Sequence, residues 1–310
     1  MKLMKKFFPL AIGCLLLLAA CGQSYEETKR LSRQQRLAEM RKDSAALKIA
    51  VMPTLDCLPL FVAQHDRLLD TLNGGVRLKM FKAQIDCDTA LERGRVEGAV
   101  TDLVRALRIE KGGLKLHMTS ATEGSWQLIT NRNARIRQLK QLDDKMVAMT
   151  RFSATDLLTD RVIDSVKLDH DRVFRVQIND VDVRLLMLQN NEMDAMWLPE
   201  PQATAARLMK HPVVYDTRKQ DFQLGVLAFR DKEMRRPERA KQQELLVKAW
   251  NAACDNINKH GVRHYKKLIV EKMKVRPQVA DSLPKNLKFQ HIKAPREQDM
   301  AIAEKWKSKK

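Results

Sequence analysis

The chain is poor in the residues that define special chain classes. Of 310 residues, 11 are glycine and 10 proline, which excludes collagen-like and low-complexity chains. Aromatics make up 5%, and the five cysteines are too sparse for a disulfide-stapled scaffold. Acidic residues are also short: 38 Asp and Glu face 57 Lys and Arg, a formal charge of +19. At 44% apolar the chain is not a disordered one. It is long enough for one large domain or two ordinary ones. It contains no GxxxxGK[ST], HExxH or GxSxG, and no Ser/His/Asp order stands out. A basic balance usually points to nucleic acid, but the N-terminus redirects that reading.

Lys2, Lys5 and Lys6 precede an apolar stretch from Phe7 to Ala20. Fourteen helical residues reach about 21 Å, too short for a ~30 Å hydrocarbon core. The pattern is that of a secretory signal over 1–20. Leu18-Ala19-Ala20-Cys21 resembles the bacterial lipoprotein box, which implies that the Cys21 thiol is acylated and becomes the first mature residue. The mature charge is then +16, and a nucleic-acid partner is not expected outside the cytoplasm. The expected location is the cell envelope, lipid-anchored to a membrane through Cys21 and facing the periplasm or the exterior. Residues 21–46 are charge-dense, with Leu31, Leu37 and Met40 too few for a core. They read as a partly helical spacer.

From Leu47 onward short apolar runs alternate with helical patterns. Strands are expected at 47–52, 76–81, 98–100 and 114–118, with helices at 60–72 (stopped by Asn73-Gly74-Gly75), 88–95 and 103–110. A second series has strands at 125–130, 146–149, 173–178, 195–198 and 213–215. Its helices lie at 136–142, 153–165, 183–189 and 201–209. The run 222–229 returns the chain, and 237–258 is a long amphipathic helix. The reading is α/β, in two lobes with crossings near Ser125 and Phe222: 47–125 with 223–310, and 126–222. Ligands of such sheets sit at the carboxyl ends of the strands.

The residues in this order resemble the nitrate/sulfonate/thiamine-precursor (NitT/TauT-like) class of ABC-transporter solute-binding proteins. LKIAVMPTLDCLPLFVAQHDRLLD (47–70) is similar to that family's opening strand, ligand loop and helix. ALERGRVEGAVTDL (90–103) has Glu97 where Asp is usual, and ARIRQLKQLDDKMVAMTRFSATDLL (134–158) has Asp144 where Gly is common. LLMLQNNEMDAMWLPEPQA (185–203) ends in an acidic-Pro dipeptide, and segments 236–261 and 289–306 match its C-terminal helices. The resemblance implies a periplasmic binding protein type II fold, with two lobes hinging shut around a solute that an ABC permease then accepts. It implies a monomer, no catalytic residue and no cofactor or metal. Two other readings stay open: an enzyme related to thiamine-pyrimidine synthesis, which needs a cleft histidine, and a lipoprotein whose degenerate cleft is an interaction surface.

The strand-end loops then supply the candidate ligand contacts. Thr54, Asp56, Cys57, Asp86 and Asp102 come from the first lobe, Ser125 and Trp126 from the crossover, and Arg151, Ser153, Thr155, Asn179 and Trp197 from the second. Ser153 before a helix, with Asp156 three residues on, reads either as a cap or as an anion grip with Arg151 beside it. The facing aspartates, Asp88 among them, favour an amine-bearing or zwitterionic ligand. Trp126 and Trp197 suit a heteroaromatic ring or a core role. Cys57 and Cys87 follow neighbouring strands in the family's order and are expected to form a disulfide, with free thiols or a soft-metal site as alternatives. Cys254 is left unpaired. His260 and His264 are a weak zinc pair, with Gly261 between them.

Overall fold

In the computed structural model, residues 25–69 and 75–309 are described. The segment expected as an export signal, Cys14, the expected lipidation site Cys21 and the Asn73-Gly74 helix stop lie outside the described residues. Helix α1 (Tyr25–Ala45) is a body of its own. Its 21 residues form a helix about 31 Å long, and Leu31, Leu37 and Met40 stand exposed on it.

The remaining body, from Ala46, holds two five-stranded sheets. The first comprises β1 (Leu47–Val51), β2 (Val76–Met80), β3 (Gly98–Asp102), β4 (Leu116–Ala121) and β10 (Gly225–Arg230), in the order β2-β1-β3-β10-β4. The second comprises β5 (Trp126–Thr130), β6 (Lys145–Met149), β7 (Val173–Gln177), β8 (Ala195–Pro199) and β9 (Val213–Asp216), ordered β7-β6-β8-β5-β9. Each sheet is parallel except for one strand. β10 runs antiparallel to β3 and β4, and β5 runs antiparallel to β8 and β9. Burial explains the order: β3 and β8 are buried along their whole length, while the edge strands β7 and β9 are largely open.

Helices cover both faces. α2 (Leu58–His65) packs on the long α9 (Ala240–His260), and α3 (Gln84–Glu92) lies against β3 and β1. α4 (Leu103–Lys111) meets α5 (Ala154–Ser165) of the second lobe, and α12 (Glu297–Lys307) packs on both. α6 (Val181–Gln189) and α7 (Gln202–Leu208) complete the second lobe. A single apolar cluster runs through both lobes, including Leu103, Leu107 and Val226 of the first and Leu128, Leu157 and Trp197 of the second. Trp306 of α12 joins it and donates its Nε1–H to Asp160 at 2.6 Å.

Two expected helices differ. The 60–72 pattern ends at His65, because Arg67 turns left-handed at φ 58°. The 136–142 pattern yields only a 3-10 turn over Leu139–Leu142. Its apolar residues Ile136, Leu139 and Leu142 recur every three positions, the 3-10 spacing rather than the α spacing.

The chain passes between the lobes twice, and the passages touch. Thr122 N–H donates to the Gly225 carbonyl at 3.0 Å. A Cβ on Gly225 would stand 2.4 Å from Thr122 Oγ1 and 3.0 Å from the Gly124 backbone. Gly225→Ala is expected to cost about 1–3 kcal/mol by overpacking; urea denaturation with an unchanged m-value checks this.

Candidate functional site

The carboxyl ends of the strands meet in one cleft between the lobes. The lobes are closed around it. Leu55 N–H donates to the Glu200 carbonyl at 2.9 Å, Gln202 Nε2 donates to the Pro53 carbonyl at 3.3 Å, and Ala83 bridges Asp180. The free space inside is about 70 Å³, well under the ~300 Å³ of ordinary small-molecule pockets.

Eight of the expected contacts line this space: Thr54, Asp56, Asp102, Ser125, Trp126, Ser153, Thr155 and Asn179. Four do not. Cys57 is fully buried in the first lobe's core. Asp86 is exposed on the first turn of α3. Arg151 is exposed and outside the lining. Trp197 takes the core role, because β8 is buried on both faces: its Nε1–H donates to Thr159 Oγ1 at 2.8 Å, and its ring stands edge-on to Tyr215 at 5.8 Å.

The disulfide expected between Cys57 and Cys87 is not formed; both are free thiols. Cys57 packs with α2 and α9, whereas Cys87 packs in the cluster around α3 and α4. Cys57 at the start of α2 and Cys87 within α3 therefore lie in different cores. Burial pushes both thiols up, with Asp56 adding to the shift of Cys57 and Asp88 to that of Cys87. Among the described residues no group of three or more potential metal ligands occurs.

Other lining groups were not singled out from the sequence: Gln84, Arg105, Glu123, Thr150, Arg184 and Glu200. Arg105 of α4 forms a buried ion pair with Asp88 of α3, which Arg108 also reaches at 3.1 Å. Arg184 of α6 has no carboxylate partner among the described residues. It donates to the carbonyls of Ile178 (2.7 Å) and Trp197 (2.9 Å) and to Thr150 Oγ1. Burial, and then repulsion from Arg105, lower its pKa to about 9. Glu200 is neutralised by Arg207 at 2.8 Å and Arg218 at 3.7 Å.

The other three acids have no ion pair among the described residues. Burial raises Asp56, against hydrogen bonds from Thr54 and the Asp56 and Cys57 amides. Burial also raises Glu123, against Gln223 and the Gln290 backbone. Asp102 is raised to about 6 by burial, although Arg105 and two backbone amides draw it down. One of those amides is Arg105 N–H at 3.0 Å, so Asp102 caps α4. The other influence is the Ala154 backbone, in the first turn of α5 in the opposite lobe. A helix start favours negative charge, and here the chain's own carboxylate feels it. Ser153 takes the cap reading: its Oγ accepts Thr155 N–H at 3.1 Å, while Asp156 accepts Phe152 N–H at 2.9 Å and pairs with Arg175.

This is the periplasmic binding protein fold, with its cleft at the strand ends. No protein-family model matches the chain, and no curated protein matches it. Solved structures do. The alkanesulfonate-binding protein SsuA from Xanthomonas axonopodis pv. citri, bound to MOPS, superposes with TM-score 0.72 at 15% identity over 84% of this chain and 91% of that one. The periplasmic nitrate-binding protein NrtA from Synechocystis PCC 6803 gives TM-score 0.67 at 12% identity, over 83% and 74%. A Candida albicans gene product with the generic periplasmic binding protein fold gives 0.66 at 15%, over 85% and 89%.

A raised carboxyl is a stability statement. Asp102 favours folding fully below its unfolded pKa of 3.8, and that contribution is lost as pH rises through about 6. Asp102→Asn keeps the capping oxygen without the charge. It is expected to raise stability at pH 8 by up to about 3 kcal/mol, with no gain at pH 3.5; urea midpoints of variant and parent at the two pH values check this.

Proposed function

We propose that the chain is a lipid-anchored, extracytoplasmic solute-binding protein whose closed cleft holds a small amine-bearing solute for delivery to an ABC permease. One observation carries the reading: three carboxyls, Asp56, Asp102 and Glu123, line one closed cleft with no ion pair to neutralise them among the described residues. Burial raises all three, because a carboxylate loses water there without gaining a cation. An ammonium group among them restores the charged carboxylates and satisfies its own three donors. Arg105 opposes this only in part, because Asp88 pairs with it while its charge still draws Asp102 down and repels Arg184. The lining then sets Arg184 and a partly neutralised Arg105 against three acids.

The fold supports solute binding, and the cleft's chemistry sets the charge preference. SsuA and NrtA are described as alkanesulfonate- and nitrate-binding proteins. In this chain Asp102 is close enough to the α5 helix start to feel the Ala154 backbone, so an anion in the cleft meets a carboxylate. Among the described residues no histidine lines the cleft, and His65 sits on the exposed side of α2 against Asp66; the enzyme reading therefore gains no support. One observation favours a cleft that has become an interaction surface: the small free volume, with a continuous apolar cluster across the lobes.

Thermal shift on the full-length chain in mild detergent separates these readings. A solute-binding protein for amines shows a midpoint rising with the logarithm of amine concentration, with no rise for alkanesulfonates or nitrate. The amine response is expected to weaken as pH falls through about 6, where Asp102 takes up a proton. No response to any small solute sinks the proposal and leaves the interaction surface.

A further inference from the structure

Beside the inner chamber lies a second, larger hollow. That outer hollow has a free volume of about 530 Å³. The two share Leu55, Glu123, Gly124, Ser125 and Glu200 in their walls, so they adjoin at the lobe crossover. The outer hollow lies between the returning segment around Phe222 and the loop that carries Pro284 to Phe289.

Polarity reverses along this passage. The inner end is acidic, at Asp56, Asp102 and Glu123. The middle wall is apolar: Phe222 and Phe289 are nearly buried, with Leu287 beside them. The outer rim is basic. Arg218 is spoken for by Asp216 at 2.7 Å and by Glu200. Lys219 and Lys288 have no ion pair among the described residues. A passage with an acidic closed end, an apolar wall and two unpaired lysines at its mouth complements a molecule with the opposite order of charges.

We infer that the ligand is an elongated zwitterion, with its ammonium group in the inner chamber, an aliphatic stem along Phe222 and Leu287, and a terminal carboxylate at Lys219 and Lys288. This rests on the amine reading above and adds a second subsite to it. The inner space alone, about 70 Å³, holds only the head of such a molecule; with the outer hollow the site reaches the size range of ordinary ligand pockets. The two lysines are solvent-exposed, so their contribution is sensitive to salt.

Isothermal titration of the full-length chain in mild detergent tests this, using straight-chain ω-amino acids from aminobutanoate to aminooctanoate and alkylamines of matching length. The expected result is that acid-ended members of one length bind about tenfold more tightly than the matching alkylamine, the scale of one charge-assisted contact. In the double variant Lys219→Glu, Lys288→Glu that gain is expected to vanish, the acid-ended ligand falling to or below the alkylamine. Residual alkylamine binding shows that the variant is folded. Equal affinity of acid-ended and plain amines at every length, or a gain that survives in the double variant, overturns the elongated ligand and leaves the amine reading standing. If no amine binds the parent protein, both fall together.

Discussion

Two strands of chain must pass side by side between the lobes, and the backbone at Gly124 and Gly225 lies close enough there to leave no room for a side chain. Everything in the cleft depends on that narrow crossing. It delivers Glu123, Ser125 and Trp126 to the chamber from one passage, and it inserts β10 between β3 and β4 from the other. The same crossing makes the common wall of the inner and outer hollows. A bulky residue at either glycine would push the passages apart and widen the gap that the lobes now close.

Closure concentrates charge in a place where water is scarce. Asp102 shows how the chain manages this. It accepts the Arg105 N–H of its own lobe at 3.0 Å, and the Ala154 backbone of the other lobe also draws it down. These influences hold a carboxylate that burial disfavours. Asp88 differs because it is balanced by Arg105 and Arg108. A balanced buried pair fixes the architecture; an unbalanced acid leaves a demand that a solute can meet.

Much of the fold was legible because period and burial agree. Strands such as Ala195–Pro199 are continuous apolar runs, and a continuous run marks a strand buried on both faces. The departures from the family pattern also make physical sense. Asp144 stands where Gly is common and adopts φ 57°, a left-handed backbone that Asp tolerates better than most residues. Glu97, where Asp is usual, reaches the Lys48 amide at 2.7 Å and lies 3.7 Å from Arg239. The site was less legible. Reading strand-end loops found Asp56, Asp102 and Ser153, but Arg105 and Arg184 lie inside helices, where a sequence offers no sign of which face meets the cleft. Trp197 and Cys57 were drawn in by their chemistry and by position next to a loop, while the packing of β8 and α2 buries them.

The two arginines also bear on what kind of closure this is. Arg105 and Arg184 come from opposite lobes and repel each other across the cleft, and this repulsion helps lower Arg184. The cleft acids lie in the same space and offset part of it. Closure rests on the shared apolar cluster and a few hydrogen bonds, working against a chamber whose charges are incompletely matched. A solute that completes the match gains twice, once from its own contacts and once by relieving that mismatch, which is how differential affinity for the closed state arises.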